Sequence, residues 1–447
     1  MRNFRLDKET LKACAIFSML KTHAKRRHVS FHMPGNKWGK WDITELSFSD
    51  NLSSPSGCIA AAERDIARIL GADRSFILTN GSTSGVFSML DAAKRAGVKT
   101  VAAPQASHKS LFNACALLGL TPFLFTQKTQ KGVPAPLTEQ DLATEKGEDG
   151  AFMRAFENAD ALFLTSPDYY GNVPDLKRLR ALCEKSGKLL LIDGAHGGHL
   201  HFDKTVYAGA YADMWVDGVH KSLPALTQGA IVSARTPALS ELLGESVGTF
   251  RSTSPSYPVM ASVEYAVKYP RNVALEAEVR AFVAAHKDRL YQNKDWTKVC
   301  ALFGNAAFEV QDELERRGIY PEFADGNAVL FYLSPATSKR ELALLKKTLL
   351  HLFEAYPLTR EQGDENQARS IHAPPVPPEN GEVEWVDLTQ SAGEICAGAC
   401  GLFPPCTPLI GVGETVKREK IDLLRQAKNT FGLKNGKIAV FKREKKE

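Results

Sequence analysis

The sequence predicts an α/β fold, with a large domain built on a mostly parallel sheet and a smaller α+β domain after it. Short apolar runs alternate with stretches of helical periodicity between residues 57 and 217, which is typical of parallel strands joined by helices. At five of these runs, clusters of polar residues follow directly. Ligands of open α/β sheets bind at the carboxyl ends of strands, so we expect one site built from these loops. After about residue 270 the alternation ends, which indicates a second architecture.

The elements are predicted in order along the chain. Residues 9–27 carry apolar positions at helical spacing among Lys and Arg, which predicts a helical arm within residues 1–50. The large domain, residues 51–290, contains the predicted strands at 76–78, 100–103, 161–164, 189–192 and 214–216. A helix over 274–290 leads into the small domain, residues 291–447. In the small domain we predict helices at 306–317, 338–354, 387–400 and 414–430, strands at 328–332 and 438–441, and a proline-rich loop at 372–382.

Composition and charge exclude several classes of protein. The chain has 447 residues, 44% of them hydrophobic and 24% charged, which rules out collagen-like, coiled-coil and wholly disordered chains. The net charge, 56 − 51 = +5, is too small to indicate nucleic-acid binding. No apolar run approaches the roughly 18 residues of a membrane helix, and the N-terminus is too charged for a signal peptide. The eight scattered cysteines favour a reducing compartment, so we expect a cytoplasmic protein.

Two of the strand-end residues could carry cofactor chemistry. Lys221 follows the apolar run at 214–216, and an amine there can form a Schiff base with an aldehyde cofactor if burial or nearby cations lower its pKa. Asp193 ends the run at 189–192, where a carboxylate could keep the ring nitrogen of pyridoxal phosphate protonated. Taken singly, Lys221 is more often a surface lysine, and Asp193 is more often a helix cap.

Two further loops fit the same cofactor. NGSTSG at 80–85 opens a predicted helix, and the backbone N–H groups of Gly81, Ser82 and Thr83 suit a phosphate. His108 follows another strand and could stack on a flat ring or bind a substrate carboxylate. The simpler interpretations are helix capping by the Ser and Thr, and an ordinary loop histidine.

Metal binding is the competing interpretation. His196, His199 and His201 in HGGHLH could together bind zinc, but their spacing matches none of the common zinc motifs, so we predict no metal. Cys396 and Cys400 are four residues apart on a predicted helix, where half-buried small side chains are the more usual outcome.

The segment DGVHKSLPALTQGA, which contains Lys221, resembles the cofactor-attachment segment of the Orn/Lys/Arg decarboxylases, a branch of the fold-type-I pyridoxal phosphate enzymes. Other segments are similar to segments of the same family and occur in the family's order over nearly the whole chain. They are FHMPGNK (31–37), NGSTSG (80–85), SHKS (107–110), TSPDYYG (165–171), IDGAHGGHLHF (192–202), STSPSYPVMAS (252–262) and, more weakly, FPPCTPLIGVGE (403–414).

The resemblance implies a fold-type-I large domain that binds pyridoxal 5'-phosphate, and it implies a role for each matching residue. Lys221 would attach the cofactor covalently, Asp193 would pair with the pyridine nitrogen, and His108 would stack on the ring. Ser82, Thr83 and His220 would contact the phosphate. Ala195 and His196 would lie near the ring and the substrate. Thr253 would help to complete the phosphate site, across a dimer interface.

Four positions depart from the family pattern. Asn36 stands where a second His is common, and Gly218 replaces a common Ser, which removes one phosphate donor. Asp168 replaces a Thr, so that an acid near the site could attract a cation or repel the phosphate. Glu394 stands where an Arg is common, and FPPC replaces Tyr-Pro-Pro-Gly in the C-terminal segment.

The resemblance implies decarboxylation of lysine, ornithine or arginine to a diamine or agmatine, and thus a place in polyamine biosynthesis. The alternatives are transamination, aldol or elimination chemistry on the same cofactor, a catalytically silent relative, and a metal-dependent hydrolase. Because FHMPGNK begins at residue 31, the resemblance implies a short form without an N-terminal wing domain. A homodimer, or a dimer of dimers, is expected.

Overall fold

The structure is a computed structural model that describes residues 6–36, 39–131, 133–138, 141–142, 150–358, 382–403, 406 and 408–442. The predicted proline-rich loop at 372–382 lies outside these residues, except for Glu382. Two helices, α1 (Lys8–Lys12) and α2 (Ala15–Lys25), replace the single helix predicted over 9–27. They are separate because Cys14 has an extended backbone conformation.

The next part of the chain alternates between helices and strands, as predicted. In order, its elements are α3 (Cys58–Leu70), β1 (Arg74–Leu78), α4 (Gly81–Arg95), β2 (Thr100–Pro104), α5 (Lys109–Leu118), β3 (Thr121–Phe125), β4 (Thr129–Gln130), β5 (Val133–Pro134), α6 (Ala151–Glu157), β6 (Ala161–Thr165), α7 (Leu176–Lys185), β7 (Leu189–Gly194), β8 (Met214–Asp217), α8 (Val219–Ser222), β9 (Ala230–Ala234), α9 (Pro237–Phe250), α10 (Tyr257–Val267) and α11 (Val273–Ala285).

These strands form a seven-stranded sheet in the order β1-β9-β8-β7-β6-β2-β3. The strands from β8 to β3 pair in parallel, and β9 is antiparallel to both of its neighbours, so the predicted mostly parallel sheet is confirmed. The inner strands are buried on both faces, whereas the edge strand β3 is only partly buried. In β6, Leu162 and Leu164 pack into one hydrophobic cluster, and Phe163 packs into the other. This double burial explains why the strands read as continuous apolar runs.

The last third has smaller antiparallel sheets. Its elements are β10 (Lys298–Leu302), α12 (Ala307–Arg316), β11 (Phe323–Ala324), β12 (Ala328–Tyr332), α13 (Lys339–Ala355), β13 (Val383–Asp387), β14 (Cys400–Leu402), β15 (Pro408–Ile410), α14 (Arg418–Gln426), β16 (Thr430–Phe431), β17 (Leu433–Lys434) and β18 (Lys437–Phe441). The three-stranded sheets run β10-β12-β11, β13-β18-β17 and β15-β14-β16. The mixed α/β class is confirmed, and the domain boundaries at 50 and 290 stay predictions.

The helix predicted over 387–400 is wrong. This stretch leaves β13, turns through Gly393 with φ +85°, and reaches β14 at Cys400. Cys396 is fully buried and forms an isolated bridge with Val440. The two cysteines therefore do not share a helix face, and both are buried rather than half-buried. The apolar residues whose spacing suggested a helix are instead buried because this stretch pairs with β18, which is distant in sequence.

None of the helices in the described ranges is long and apolar enough to cross a membrane.

A buried carboxylate fastens the N-terminal arm to the large sheet region. Glu264, in α10, accepts hydrogen bonds from the backbone N–H groups of Ala15 (2.7 Å) and Ile16 (2.9 Å). These groups begin α2, whose N-cap residue, Cys14, provides no side-chain cap. Glu264 also pairs with Lys268 at 2.9 Å. A residue far along the chain thus caps this helix.

Glu264→Ala should lower the free energy of unfolding by about 2–4 kcal/mol, because it leaves two helix N–H groups without their acceptor and removes one of the ion-pair partners of Lys268, which keeps Asp65. Urea denaturation measures this loss, and hydrogen exchange should show faster exchange in α2. The control is Glu278→Ala, which removes a partly exposed 2.9 Å pair with Lys346 and should cost less than about 1 kcal/mol. Equal losses for both variants would contradict the capping role.

Candidate active site

A cavity of about 1750 Å³ opens where the carboxyl ends of β1, β2, β6, β7 and β8 meet. Its other wall comes from the last third of the chain, including Phe323, Leu402 and Glu414. The strand-end loops supply all but one of the predicted site residues to the cavity lining. These residues are Gly81, Ser82, Thr83, His108, Asp193, Ala195, His196, His220 and Lys221.

Lys221 lies on α8, just beyond the end of β8. Its Nζ is 3.2 Å from Nε2 of His196. Burial lowers the pKa of the Lys221 amine, and the carboxylate of Asp193 opposes this shift. A lowered pKa increases the fraction of neutral amine, which is the form that attacks an aldehyde. The environment of Lys221 therefore suits covalent attachment of a carbonyl cofactor.

Asp193 ends β7 and is only 3% exposed. Its Oδ1 accepts a hydrogen bond from the backbone N–H of Ala195 at 3.0 Å. Burial raises the pKa of Asp193, and the charge of Lys221 opposes this rise. A cation placed in the cavity next to Asp193 would stabilise the carboxylate form. The protonated ring nitrogen of pyridoxal phosphate fits this requirement.

His196 contacts the Lys221 amine and lies in an aromatic wall. The rings of Tyr169 and Tyr332 contact it edge-on, with centroid distances of 4.6 and 5.7 Å. Burial, together with the charges of Lys221 and Lys298, holds the pKa of His196 well below its ordinary value. His196 is therefore neutral near pH 7 and can accept a hydrogen bond from the lysine amine.

His108 caps the start of α5. Its Nδ1 accepts the backbone N–H of Ser110 at 3.2 Å, which fixes the ring against the helix. Burial, with the charges of Lys221 and Lys109, lowers the pKa of His108 to about 4. A neutral, fixed imidazole that lines the cavity can stack on a flat ring, as the resemblance implied.

The first turn of α4 borders the cavity and offers backbone donors to an anion. Gly81 begins this turn with φ +85°, but its N–H already donates to the carbonyl of Gln228 at 3.0 Å. The phosphate contacts of Gly81, Ser82 and Thr83 stay predictions, and all three residues line the cavity. His220, also predicted here, donates from Nδ1 to the carbonyl of Gly229 at 2.9 Å.

Thr253 is the predicted residue that the structure does not bring into the cavity. It is exposed on the segment between α9 and α10 and does not line the cavity. Its contribution to a phosphate site across a dimer interface stays a prediction.

Gly218 has a steric role that the sequence did not reveal. A Cβ atom at this position would lie 2.2 Å from the carbonyl oxygen of Ala195. The loop after β8 and the loop after β7 therefore approach each other too closely for any side chain here. The glycine permits this close approach, which matters more locally than the loss of a serine donor.

Asp168 closes its own loop. Its Oδ1 accepts the N–H groups of Tyr170 and Asn172, both at 2.9 Å, and its Oδ2 accepts Nδ2 of Asn172 at 2.9 Å. Burial raises the pKa of Asp168 to about 6. Asp168 is thus a turn-stabilising residue in this structure, rather than a free charge that faces the phosphate.

The remaining departures are Asn36, Glu394 and Cys406, and only Cys406 lies near a cofactor residue, since its carbonyl accepts the N–H of Lys109 at 3.1 Å. Asn36 donates to Asp42 at 2.8 Å, and Glu394 does not line the cavity. Cys406 has φ +58°, a left-handed conformation that favours glycine, which is the residue common at this place in the resembling family.

The three histidines of HGGHLH face different surroundings. His196 contacts Lys221, His199 bonds to Asp295 at 2.7 Å, and Nδ1 of His201 donates to the carbonyl of Gly198 at 2.7 Å. Within the described residues, no cluster of three or more His, Cys, Asp or Glu side chains could hold a metal ion.

Sequence reasoning missed the residues that the last third of the chain adds. Tyr332 and Lys298 pack behind His196, and Glu322 accepts a hydrogen bond from Tyr169 at 2.7 Å. Gln105 also donates to Glu414 and joins the two walls of the cavity. No spacing signal linked Tyr332, Lys298, Glu322 or Glu414 to the site. Tyr169 and Gln105 did have a signal, because each follows a predicted strand, in TSPDYYG and in PQASHKS.

Comparison with known proteins places the chain in one family through its sequence profile. The sequence profile described as Orn/Lys/Arg decarboxylase, major domain, matches residues 40–296. The chain is 27% identical to the uncharacterized protein YaaO of Bacillus subtilis, over 92% of this chain and 93% of that protein. It is also 27% identical to an arginine decarboxylase of Halalkalibacterium halodurans, over 94% of each chain. The constitutive lysine decarboxylase of E. coli has the same fold, with a TM-score of 0.73 at 19% identity, over 97% of this chain and 83% of that one.

Gly218→Ser should lower the free energy of unfolding by about 1–3 kcal/mol, because the new Cβ would overlap the Ala195 carbonyl and push the two loops apart. It should also reduce cofactor content, since Lys221 and Ala195 would both move. Thermal denaturation and cofactor absorbance measure these effects. Gly248→Ser, at a helical glycine with nothing within 4 Å of an added Cβ, is the matched control and should change neither. An unaltered Gly218→Ser protein would show that the loops can separate without cost.

Proposed function

We infer that this chain, which belongs to the Orn/Lys/Arg decarboxylase family, decarboxylates a basic amino acid with pyridoxal phosphate as its cofactor. The single observation that supports this most strongly is the pairing of a partly buried amine, Lys221, with a buried carboxylate, Asp193, in one cavity. Arginine, lysine and ornithine are the substrates we propose.

The residues of the cavity fit the cofactor from end to end. The Lys221 amine would hold the aldehyde carbon, Asp193 the ring nitrogen, and His108 one ring face. Ser82, Thr83 and His220 would bind the phosphate. When bound, the cofactor supplies an electron sink for the carbanion that forms as carbon dioxide leaves.

The protein's own residues orient the substrate and control protons. His196, Tyr169 and Tyr332 form an aromatic wall that excludes water from the reacting carbon. The Nζ of Lys221, when it is not holding the cofactor, could carry a proton to the substrate Cα. His196 Nε2, 3.2 Å away, stays neutral and can hold that amine in place.

We further propose a cytoplasmic homodimer that acts in polyamine biosynthesis. Exposed apolar residues on the N-terminal segment support an interface between two subunits. Val29, Phe31 and Met33 there are 80%, 95% and 70% exposed. The exposed position of Thr253 supports a contribution to the partner's site. All eight cysteines are free thiols, as in a reducing compartment.

A basic substrate needs an acid for its distal cation, and most acids in the cavity are already engaged. Asp168 and Asp325 accept backbone N–H groups, which fixes their carboxylates within turns. Glu414 pairs with Lys420 at 2.9 Å. These carboxylates are poorly placed to gain a new partner.

Glu322 is the acid that we propose for the distal cation. Glu322 is exposed. Its carboxylate accepts a hydrogen bond from the hydroxyl of Tyr169 at 2.7 Å, which orients it. Its charge also raises the pKa of Lys221, so it lies within electrostatic range of the reacting centre. A lysine or arginine side chain attached near Lys221 would extend toward such a carboxylate.

Lys221→Ala should reduce carbon dioxide release from arginine, lysine or ornithine by roughly a thousandfold or more, because the attaching amine is lost. Borohydride should attach the cofactor to the peptide that contains Lys221, as seen by mass spectrometry. Lys204→Ala, at an exposed lysine, should retain both properties. Amino transfer without carbon dioxide release would overturn the proposed reaction while leaving the cofactor site intact.

Glu322→Gln should raise KM for the preferred basic amino acid by about 10- to 100-fold, because it removes one charged interaction but can keep the Tyr169 bond. Activity on the neutral analogue norleucine should change little. Steady-state kinetics on both substrates measure the difference, and Glu278→Gln, at a partly exposed residue on α11, is the control. An equal loss on norleucine would mean that Glu322 supports the site without recognising the cation.

A further inference from the structure

Lys298 is a buried charge for which the proposed reaction has no use. Its side chain is 0% exposed, although it begins an edge strand, β10. Burial of an ammonium group is costly unless the group is paired and hydrogen-bonded. The Nζ atom lies 3.3 Å from Oδ2 of Asp295 and donates to Oγ1 of Thr297 at 3.0 Å.

Asp295 fixes the position of this lysine. Its Oδ1 is 2.7 Å from Nε2 of His199 and accepts the N–H of Thr297 at 2.9 Å. Burial by itself raises the pKa of Asp295, but His199 and Lys298 outweigh it and hold the pKa well below its usual value. Asp295 is therefore ionised, and it fixes the position of the Lys298 ammonium group.

The upper side of Lys298 contacts the residue that meets the reacting amine. Its Nζ donates to the main-chain carbonyl of His196 at 3.5 Å and lies 4.3 Å from the ring centroid of Tyr332. Tyr332 in turn touches the His196 ring and donates from its hydroxyl to the carbonyl of Tyr169 at 2.8 Å. Lys298 therefore contacts the backbone of His196 directly. Through Tyr332 it also supports the ring of His196.

Several charges act on the two groups that face each other at the centre of the site. Those that lower the pKa of His196, besides burial, are Lys221, Lys298, His108 and His220. Those that act on Lys221, besides burial, are Asp193, Glu322 and Cys406, which raise its pKa, and Lys298, which lowers it. Lys298 belongs to both sets, and it lies outside the cavity lining.

We propose that Lys298 is a positioning residue: fixed by Asp295, it holds His196 against the Lys221 amine. A neutral His196 can accept a hydrogen bond from Lys221. A protonated His196 would instead repel the ammonium form of Lys221. This inference rests on the proposed function, since it concerns the residue that would attach the cofactor.

The test is Lys298→Met, which removes the ammonium group but keeps a chain that can pack on Tyr332. The charge of Lys298 lowers the pKa of Lys221, so its removal raises that pKa. The visible absorbance of the bound cofactor, titrated against pH, reports protonation of the Lys221 nitrogen. Its midpoint should move to higher pH by about one unit. The rate should fall mainly through kcat.

Lys294→Met is the matched control, because Lys294 is an exposed lysine in the same loop and its replacement should leave the midpoint unchanged. If Lys298→Met does not fold, the double variant with Asp295→Asn removes the unpaired buried carboxylate and should still show the upward shift. An unchanged midpoint in a folded variant that contains cofactor would overturn the proposal. Failure of the proposed function is distinct, since the unmodified protein would then show neither cofactor absorbance nor carbon dioxide release.

Discussion

The structure depends on one constraint: parallel strands end at the same edge of a sheet. The constraint brings Lys221, Asp193 and His108 into one cavity from three separate loops. Burial at this edge lowers the pKa of Lys221 and of His108 and raises the pKa of Asp193. A cation next to Asp193 would therefore stabilise its ionised form. The same low-polarity environment therefore prepares an amine to react and a carboxylate to pair with a ring nitrogen.

The second wall of the cavity adds residues that contact the strand-end residues from the other side. Tyr332, Lys298 and Glu322 all come from the last third of the chain, and each acts on the cavity through His196 or Tyr169. A deep ion pair fixes this wall from behind, while a more exposed carboxylate stands at its edge. The large sheet region thus supplies the groups that would hold the cofactor, and the smaller sheets supply the groups that orient them.

Close packing of loops limits how this site can vary. Gly218 allows two strand-end loops to touch, with no room for a Cβ, and Asp168 uses its carboxylate to close a turn. Both residues differ from the resembling family's usual ones, yet each has a local structural cause. Substitutions near a cofactor can therefore reflect backbone geometry as well as substrate choice.

The sequence by itself determined five of the seven strands of the large sheet, the ends of those strands, and the placing of Lys221 and Asp193 at one sheet edge, because buried strands and the polar residues that end them leave a local pattern; it did not predict β3 or the antiparallel β9. It misassigned 387–400 as a helix, since only pairing with a distant strand reveals the extended conformation there. The cap that Glu264 provides and the buried Lys298 also escaped it. These features join residues far apart in the chain, and no local spacing encodes such contacts, so only the tertiary structure decided them.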